Sequence, residues 1–208
     1  MIADAQIAVD DPREPDVRAL LERHRTFALA QTPPEHSFAL DVDGLLDPAI
    51  TLFSFRAEGS LLGVGALKRL SPRHAEIKSM HTAEAARGRG VARTMLTHLL
   101  NVARWQGFRR VSLETGTTAA FAPARALYLS AGFISCGPFA GYEPSEDNLF
   151  MTLELPAAHD HDTAYPQLNS AAPHGTLTLS PNHCPLLVRR RDLIGLAPAR
   201  QPDEAGGG

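Results

Sequence analysis

The chain has 208 residues and a mass of 22.4 kDa, large enough for one globular domain with a sizeable core. It is 44% hydrophobic and 21% charged, which excludes fibrous and fully disordered classes. A net charge of −3, from 20 Lys+Arg and 23 Asp+Glu, excludes a global positive field that would gather nucleic acid.

The opening segment, MIADAQIAVDDPREPD, carries early acids and no apolar run, so no secretory leader is expected. No stretch approaches the ~18 to 20 apolar residues of a membrane span. Cys136 and Cys184 are too far apart for a metal knuckle and too few to staple a small secreted fold. These features predict a cytoplasmic protein with no membrane or nucleic-acid partner and no metal.

In chain order, a short strand is predicted near Gln6–Val9. Pro15-Asp16 then opens a helix to about Ala30, with Val17, Leu20, Leu21 and Phe27 apolar. Thr32-Pro33-Pro34 stops it, and a loose helical segment holding Phe38 and Leu40 is expected next. Ile50–Arg56 and Leu61–Lys68, separated by Glu58-Gly59-Ser60, read as a hairpin. Glu76–Thr82 is a further strand. A glycine-rich turn leads into an amphipathic helix from Val91 to about Gln106, with Val91, Met95, Leu99 and Val102 on one face, and Gly107 ends it. Arg110–Glu114 reads as a strand, Ala120–Ser130 as a helix stopped by Gly132, and Phe133–Gly137 and Leu149–Leu155 as closing strands. Antiparallel strands followed by a strand–helix–strand–helix–strand order indicate a mixed sheet with helices packed on it.

After Leu155 the composition changes. Residues 157–208 contain six prolines, four histidines and a single aromatic, Tyr165, so too little apolar surface is available to offset ordering. The expected organisation is a domain over residues 1–155 and a largely disordered tail over 156–208. Within that tail, Pro185–Arg191 is the one stretch that could dock as a strand or form a basic patch. The tail histidines lack a rigid scaffold for metal binding.

The segment richest in chemistry is Arg87-Gly88-Arg89-Gly90, placed between a strand and the mouth of the Val91 helix. The first turn of a helix has unpaired N–H groups and a partial positive charge. Glycines let a ligand approach that backbone closely, and Arg87, Arg89 and Arg93 add charge, so the loop reads as a pyrophosphate cradle. A P-loop is excluded because no Lys follows Gly90, and a dinucleotide fingerprint because Arg93 stands where its third glycine belongs. A plain turn carrying solvated arginines is the alternative.

Arg87-x-x-Gly90-x-Ala92 resembles the Arg/Gln-x-x-Gly-x-Gly/Ala signature of the GCN5-related N-acetyltransferases (GNAT). A second segment, Ala124-Arg-Ala-Leu127-Tyr128-Leu-Ser-Ala-Gly132-Phe133, is similar to that family's helix-to-strand motif. The resemblance spans about residues 5–155. Glu76-Ile-Lys-Ser-Met, Leu113–Gly116 and the Gly137–Tyr142 loop look like one subgroup of small bacterial members. It implies an α/β fold of α+β type: a mixed, mostly antiparallel sheet with helices on both faces. It also implies acetyl-coenzyme A as co-substrate, an amine acceptor on a small molecule, and direct transfer in a ternary complex. A homodimer is possible, since edge strands near the C-terminal end of such a sheet often pair.

The resemblance assigns roles to particular residues. Met80, His81 and Thr82 would offer backbone groups to the pantetheine arm, where the family's strand splays from its neighbour at a bulge. Arg87, Gly88, Arg89, Gly90, Val91, Ala92, Arg93 and Thr94 would form the pyrophosphate loop. Tyr128 would lie near the thioester sulfur, and a backbone N–H of Met80 or a neighbour would face the carbonyl oxygen. Glu76 is the first candidate base and Glu114 the second.

Each role has a structural rival. Tyr128 could be a core packer, Glu76 a surface partner of Arg73 or Lys78, and Glu114 an anion beside Arg109 or Arg110. His81 is expected to be exposed and Cys136 to be a small buried packer. Phe121 stands where many relatives have an asparagine contacting the cofactor arm. Phe121, Phe139 and Tyr142 could line an acceptor pocket. A coenzyme A sensor without turnover and a protein holding another nucleotide are the competing functions.

Overall fold

The computed structural model describes residues 5–156. The tail beyond, with its histidines and the Pro185–Arg191 stretch, lies outside the described residues, and so does Cys184. Seven strands form one sheet in the order β1-β2-β3-β4-β5-β7-β6. They are β1 (Ala5–Val9), β2 (Ile50–Ala57), β3 (Ser60–Ser71), β4 (His74–Thr82), β5 (Arg110–Gly116), β6 (Ile134–Cys136) and β7 (Asn148–Glu154). Only β4 and β5 run parallel; every other neighbouring pair is antiparallel. The helices are α1 (Pro15–Gln31), α2 (Val91–Trp105) and α3 (Ala122–Ser130).

Alternation along the strands divides the core in two, because successive side chains leave opposite faces of a sheet. Leu52, Val64 and Ala66 pack with Val17, Leu20 and Leu21 of α1. Phe53, Phe55, Leu67 and Ile77 pack with Met95, Leu96 and Leu99 of α2 and with Tyr128 of α3. Helices therefore cover both faces. Arg56 in β2 ties down the start of α1, reaching Asp16 at 2.5 Å and Asp10 at 3.1 Å.

The predicted elements are present, with local differences at the joints. No helix contains Phe38 or Leu40. Two short 3-10 turns, Pro34–His36 and Gly44–Leu46, flank them instead, and the chain between has no regular structure. Pro33 and Pro34 stop α1 from continuing, since the residue before a proline is pushed to extended backbone, and the segment after them is held by bonds to Lys78 and Asn148. Ala119–Phe121 is a 3-10 turn that precedes α3. Cys136 is half-buried in β6 rather than enclosed.

One irregularity positions the site. Val64 pairs with His81 and Ala66 with Lys78, so Gly65 faces two residues of β4, Ser79 and Met80. Ser79 takes the left-handed region at φ +51°, the conformation that adds a residue and bends the strand. The extra residue reverses the alternation beyond it. Lys78 and His81 both reach the α1 side, whereas Met80 packs against the α2-side core. β4 and β5 pair from His74↔Arg110 only as far as Ile77↔Leu113, and beyond that point the two strands part. No helix among the described residues is long and apolar enough to cross a membrane.

Candidate active site

The parting of β4 and β5 opens a cleft of about 650 Å³. At one end lies the loop before α2. Gly88 and Gly90 have φ of +73° and +81°, and nothing lies within 4 Å of where a Cβ would project from either. Gly90 caps α2 without a side chain, so the first-turn N–H groups receive no protein side-chain cap. Its carbonyl accepts from the Thr94 N–H at 3.0 Å and the Thr94 hydroxyl at 3.2 Å. Arg87, Gly88, Gly90, Val91, Ala92 and Arg93 line the cleft, while Arg89 and Thr94 do not. The loop thus combines open glycine backbone, a bare helix N-terminus and two cleft-facing guanidinium groups.

Along the middle of the cleft run Ser79, Met80, His81 and Thr82 of β4, facing Thr115 and Gly116 of β5. Beyond Ile77 this edge of β4 has no strand partner on the β5 side, so an extended ligand bearing amides could pair with it. Two buried polar atoms here have no protein partner: Ser79 Oγ and His24 Nδ1. Open backbone, uncommitted polar atoms and a cationic loop all suit a long anionic ligand such as coenzyme A.

His81 is half-buried, correcting the expectation of an exposed side chain. Its ring sits 5.3 Å from that of His24 and 6.4 Å from that of Phe27, both on α1. Burial pushes both imidazoles down to about 4; the neighbouring His81 and Lys78 add to the effect on His24, and Arg87 and Arg23 to that on His81. Both rings are therefore neutral near pH 7. Phe121 lines the cleft and packs on Phe27 at 5.2 Å. A Cβ on Gly116 would overlap the Phe121 ring, so the end of β5 must be glycine for the ring to lie against it. Arg125 fixes this corner by donating to the carbonyls of Gly116 and Thr118, each at 2.8 Å.

Tyr128 projects from α3 into the cleft wall and is 7% exposed. Burial, and then the charge of Glu114, push its phenol well above the usual range, so the hydroxyl keeps its proton. Glu114 lines the cleft and is half-buried. Burial is the main cause of its raised carboxyl pKa. The Asn148 amide and the Lys78 charge oppose that rise, and Glu76 adds to it. Asn148 donates to Glu114 Oε1 at 2.6 Å, so neither Arg109 nor Arg110 is the partner. The structure thus brings Tyr128 and Glu114 together with the cleft-facing members of the pyrophosphate loop.

Glu76 is elsewhere. It is the third residue of β4 and not its first, is 1% exposed, and does not line the cleft. Tyr142 donates to Glu76 Oε1 at 2.6 Å, and Lys78 Nζ lies 3.4 Å from the same oxygen. Lys78 also donates to the Tyr142 hydroxyl at 2.8 Å and to the Phe38 carbonyl at 3.1 Å. Phe139 and Tyr142 do not line the cleft; they stack behind it with Phe150 and Phe38. A second tether holds the same segment, since Asn148 donates to the His36 carbonyl at 3.0 Å. Residues 36–39 therefore form a wall at the Glu114 end.

Sequence reasoning did not find His24, Asn148 or the wall at 36–39; it named Lys78 as a partner of Glu76, but at the surface, whereas the pair is buried. A signal existed for His24. Positions 17, 20, 21, 24, 27 and 28 share one helical face of α1, and His24 is the polar interruption in it. Asn148 and the wall carry no comparable signal. Among the described residues no group of three His, Cys, Asp or Glu could hold a metal ion.

Comparison with known proteins places this fold and cleft in the acetyltransferase class. The sequence model of the acetyltransferase (GNAT) family matches residues 15–133. The N-acetyltransferase YedL of Escherichia coli K12 is 45% identical over 149 residues, covering 72% of this chain and 94% of that protein. YsnE of Bacillus subtilis 168, also named an N-acetyltransferase, is 42% identical over 149 residues, covering 72% and 99%. Among solved structures, an acyl-CoA N-acyltransferase from Klebsiella pneumoniae superposes with a TM-score of 0.58 at 24% identity, covering 73% of this chain and 97% of that one. A Bacillus subtilis acetyltransferase in complex with CoA gives 0.56 at 18% identity, covering 73% and 99%. This chain belongs to the GNAT acetyltransferase family.

Proposed function

We propose that the protein transfers acetyl from acetyl-coenzyme A to a primary amine of a small molecule by direct attack in a ternary complex. The observation that carries this reading is the single cleft running from the arginine–glycine loop, past Tyr128, to Glu114. Acetyl-coenzyme A supplies an activated acetyl thioester.

Arg87, Arg93 and the bare N–H groups at Gly90–Ala92 hold the pyrophosphate, because anions are stabilised at a helix N-terminus. The free edge of β4 from Met80 to Thr82 pairs with the pantetheine amides. That pairing places a backbone N–H near Met80 against the thioester carbonyl, where it stabilises developing negative charge without reorganisation.

Glu114 accepts a proton from the attacking amine. A carboxylate whose pKa is raised by burial is a better proton acceptor than an ordinary surface glutamate. Tyr128 is held protonated and donates to the departing thiolate. Glu76, enclosed with Lys78 and Tyr142, serves as an anchor for the wall and not as the base.

The test is release of free thiol from acetyl-coenzyme A by the purified chain across a panel of primary amines. Amine-dependent release supports the reading. Cofactor binding with no release above background would replace it with a sensor role.

A further inference from the structure

The charges at the Glu114 end narrow the chemistry of the acceptor, given the reading that this end receives the amine. Four charged side chains line the cleft: Arg87 and Arg93 at the helix mouth, and Lys78 and Glu114 at the far end. Lys78 would be the natural counterion for an acidic substrate. Its three N–H groups, however, point to the Phe38 carbonyl, the Tyr142 hydroxyl and Glu76. Turning Lys78 toward a ligand would leave Glu76, 1% exposed, without its cation, which is strongly unfavourable.

Glu114 is the opposite case. Its Oε1 accepts from the neutral Asn148 amide, and it forms no salt bridge among the described residues. The remaining surfaces are the neutral rings of His24 and His81, the apolar faces of Phe27, Phe38 and Phe121, and His36, whose Nδ1 is already engaged by Asp147 at 2.8 Å. An ammonium entering here meets an unpaired carboxylate. A carboxylate carried beside that ammonium meets the same negative charge and no free cation, and its burial is costly.

We propose that the acceptor is a primary amine with an apolar or aromatic body and no carboxylate beside the amine, bound with its nitrogen at Glu114 and its body against Phe38. Lys78 excludes amino acids because its donors are already committed.

The experiment compares matched pairs with the full chain and acetyl-coenzyme A: phenethylamine against phenylalanine, and tyramine against tyrosine. The carboxylate-free member is expected to have a kcat/KM about 100-fold higher, the scale set by an unpaired buried charge. Equal values, or preference for the amino acid, overturn the proposal while leaving the acetyltransferase reading in place. Coenzyme A binding by calorimetry with no thiol release from any amine overturns both.

A second variant isolates the role of Lys78. Tyr142→Phe frees one Nζ donor, and the discrimination is expected to fall about tenfold, mainly through a lower KM for the amino acid. An unchanged ratio overturns the claim that the committed lysine does the excluding.

Discussion

The two ends of the cleft are built in different ways. The proposed cofactor end is contiguous: Arg87 to Arg93 form one loop and one helix turn, and the chain's own helix would supply the binding groups. The acceptor end is assembled from separate segments, among them the wall at 36–39, Lys78 on β4, Glu114 on β5 and Asn148 at the start of β7. A contiguous site depends on local backbone geometry, so a single residue can abolish it. An assembled site depends on tethers across the sheet, so its failures are graded and specific to the acceptor.

The largest expected effect lies at the contiguous end. Gly90→Glu places a carboxylate where the pyrophosphate would sit and a Cβ on a backbone at φ +81°. Acetyl-coenzyme A binding by calorimetry is expected to weaken more than about 1000-fold, through charge repulsion and the ~1 to 2 kcal/mol of left-handed strain. Retained affinity would break the contrast between the two ends.

At the assembled end, Glu114→Gln is expected to lower turnover about 100- to 1000-fold with cofactor affinity nearly intact. The pH profile sharpens this. As the proposed base Glu114 would act only when ionised and its pKa is raised, so wild-type kcat/KM should fall as pH drops through a value above the ordinary carboxylate range. That acid limb should vanish in Glu114→Gln. Tyr128→Phe is expected to cost less, about 10- to 100-fold in turnover, because a thiolate departs readily even without a proton donor. Wild-type turnover in that variant would remove the tyrosine from the mechanism.

The smallest expected effect concerns stability. His24, His81 and His98 are each pushed from an ordinary 6.5 down to about 4, chiefly by burial, so the fold favours their neutral forms. Between those values the unfolded chain binds more protons. Stability is therefore complete above pH 6.5 and is lost as pH falls toward 4. His98 packs edge-on to Phe53 at 4.9 Å and leaves Nε2 unpartnered, with no place in the cleft. His98→Leu should raise Tm by a few degrees, and by more at pH 5 than at pH 8, as read by thermal melts.

The same contrast between ends governs how much could be read in advance. Strand alternation in Ile50–Ala57 and the apolar stripe of α2 are local patterns, so the elements and their order were legible. Gly90 and the arginines around it were legible for the same reason. The segment holding Phe38 was misread as helical because its path is set by bonds from Lys78, 40 residues away, and Asn148, 112 residues from His36. Glu76 was the first candidate base because the family resemblance puts a carboxylate base at that position. Only the packing of Tyr142, 66 residues later, encloses it.

By itself the sequence determined the strands, the helices, the glycine–arginine loop at the mouth of α2 and the family, because each rests on neighbours within a few residues. The tertiary structure decided which carboxylate faces the cleft, how Lys78 spends its protons and where His24 sits. Those outcomes depend on burial and on contacts between distant segments, which acquire their energy only once water is removed from around them.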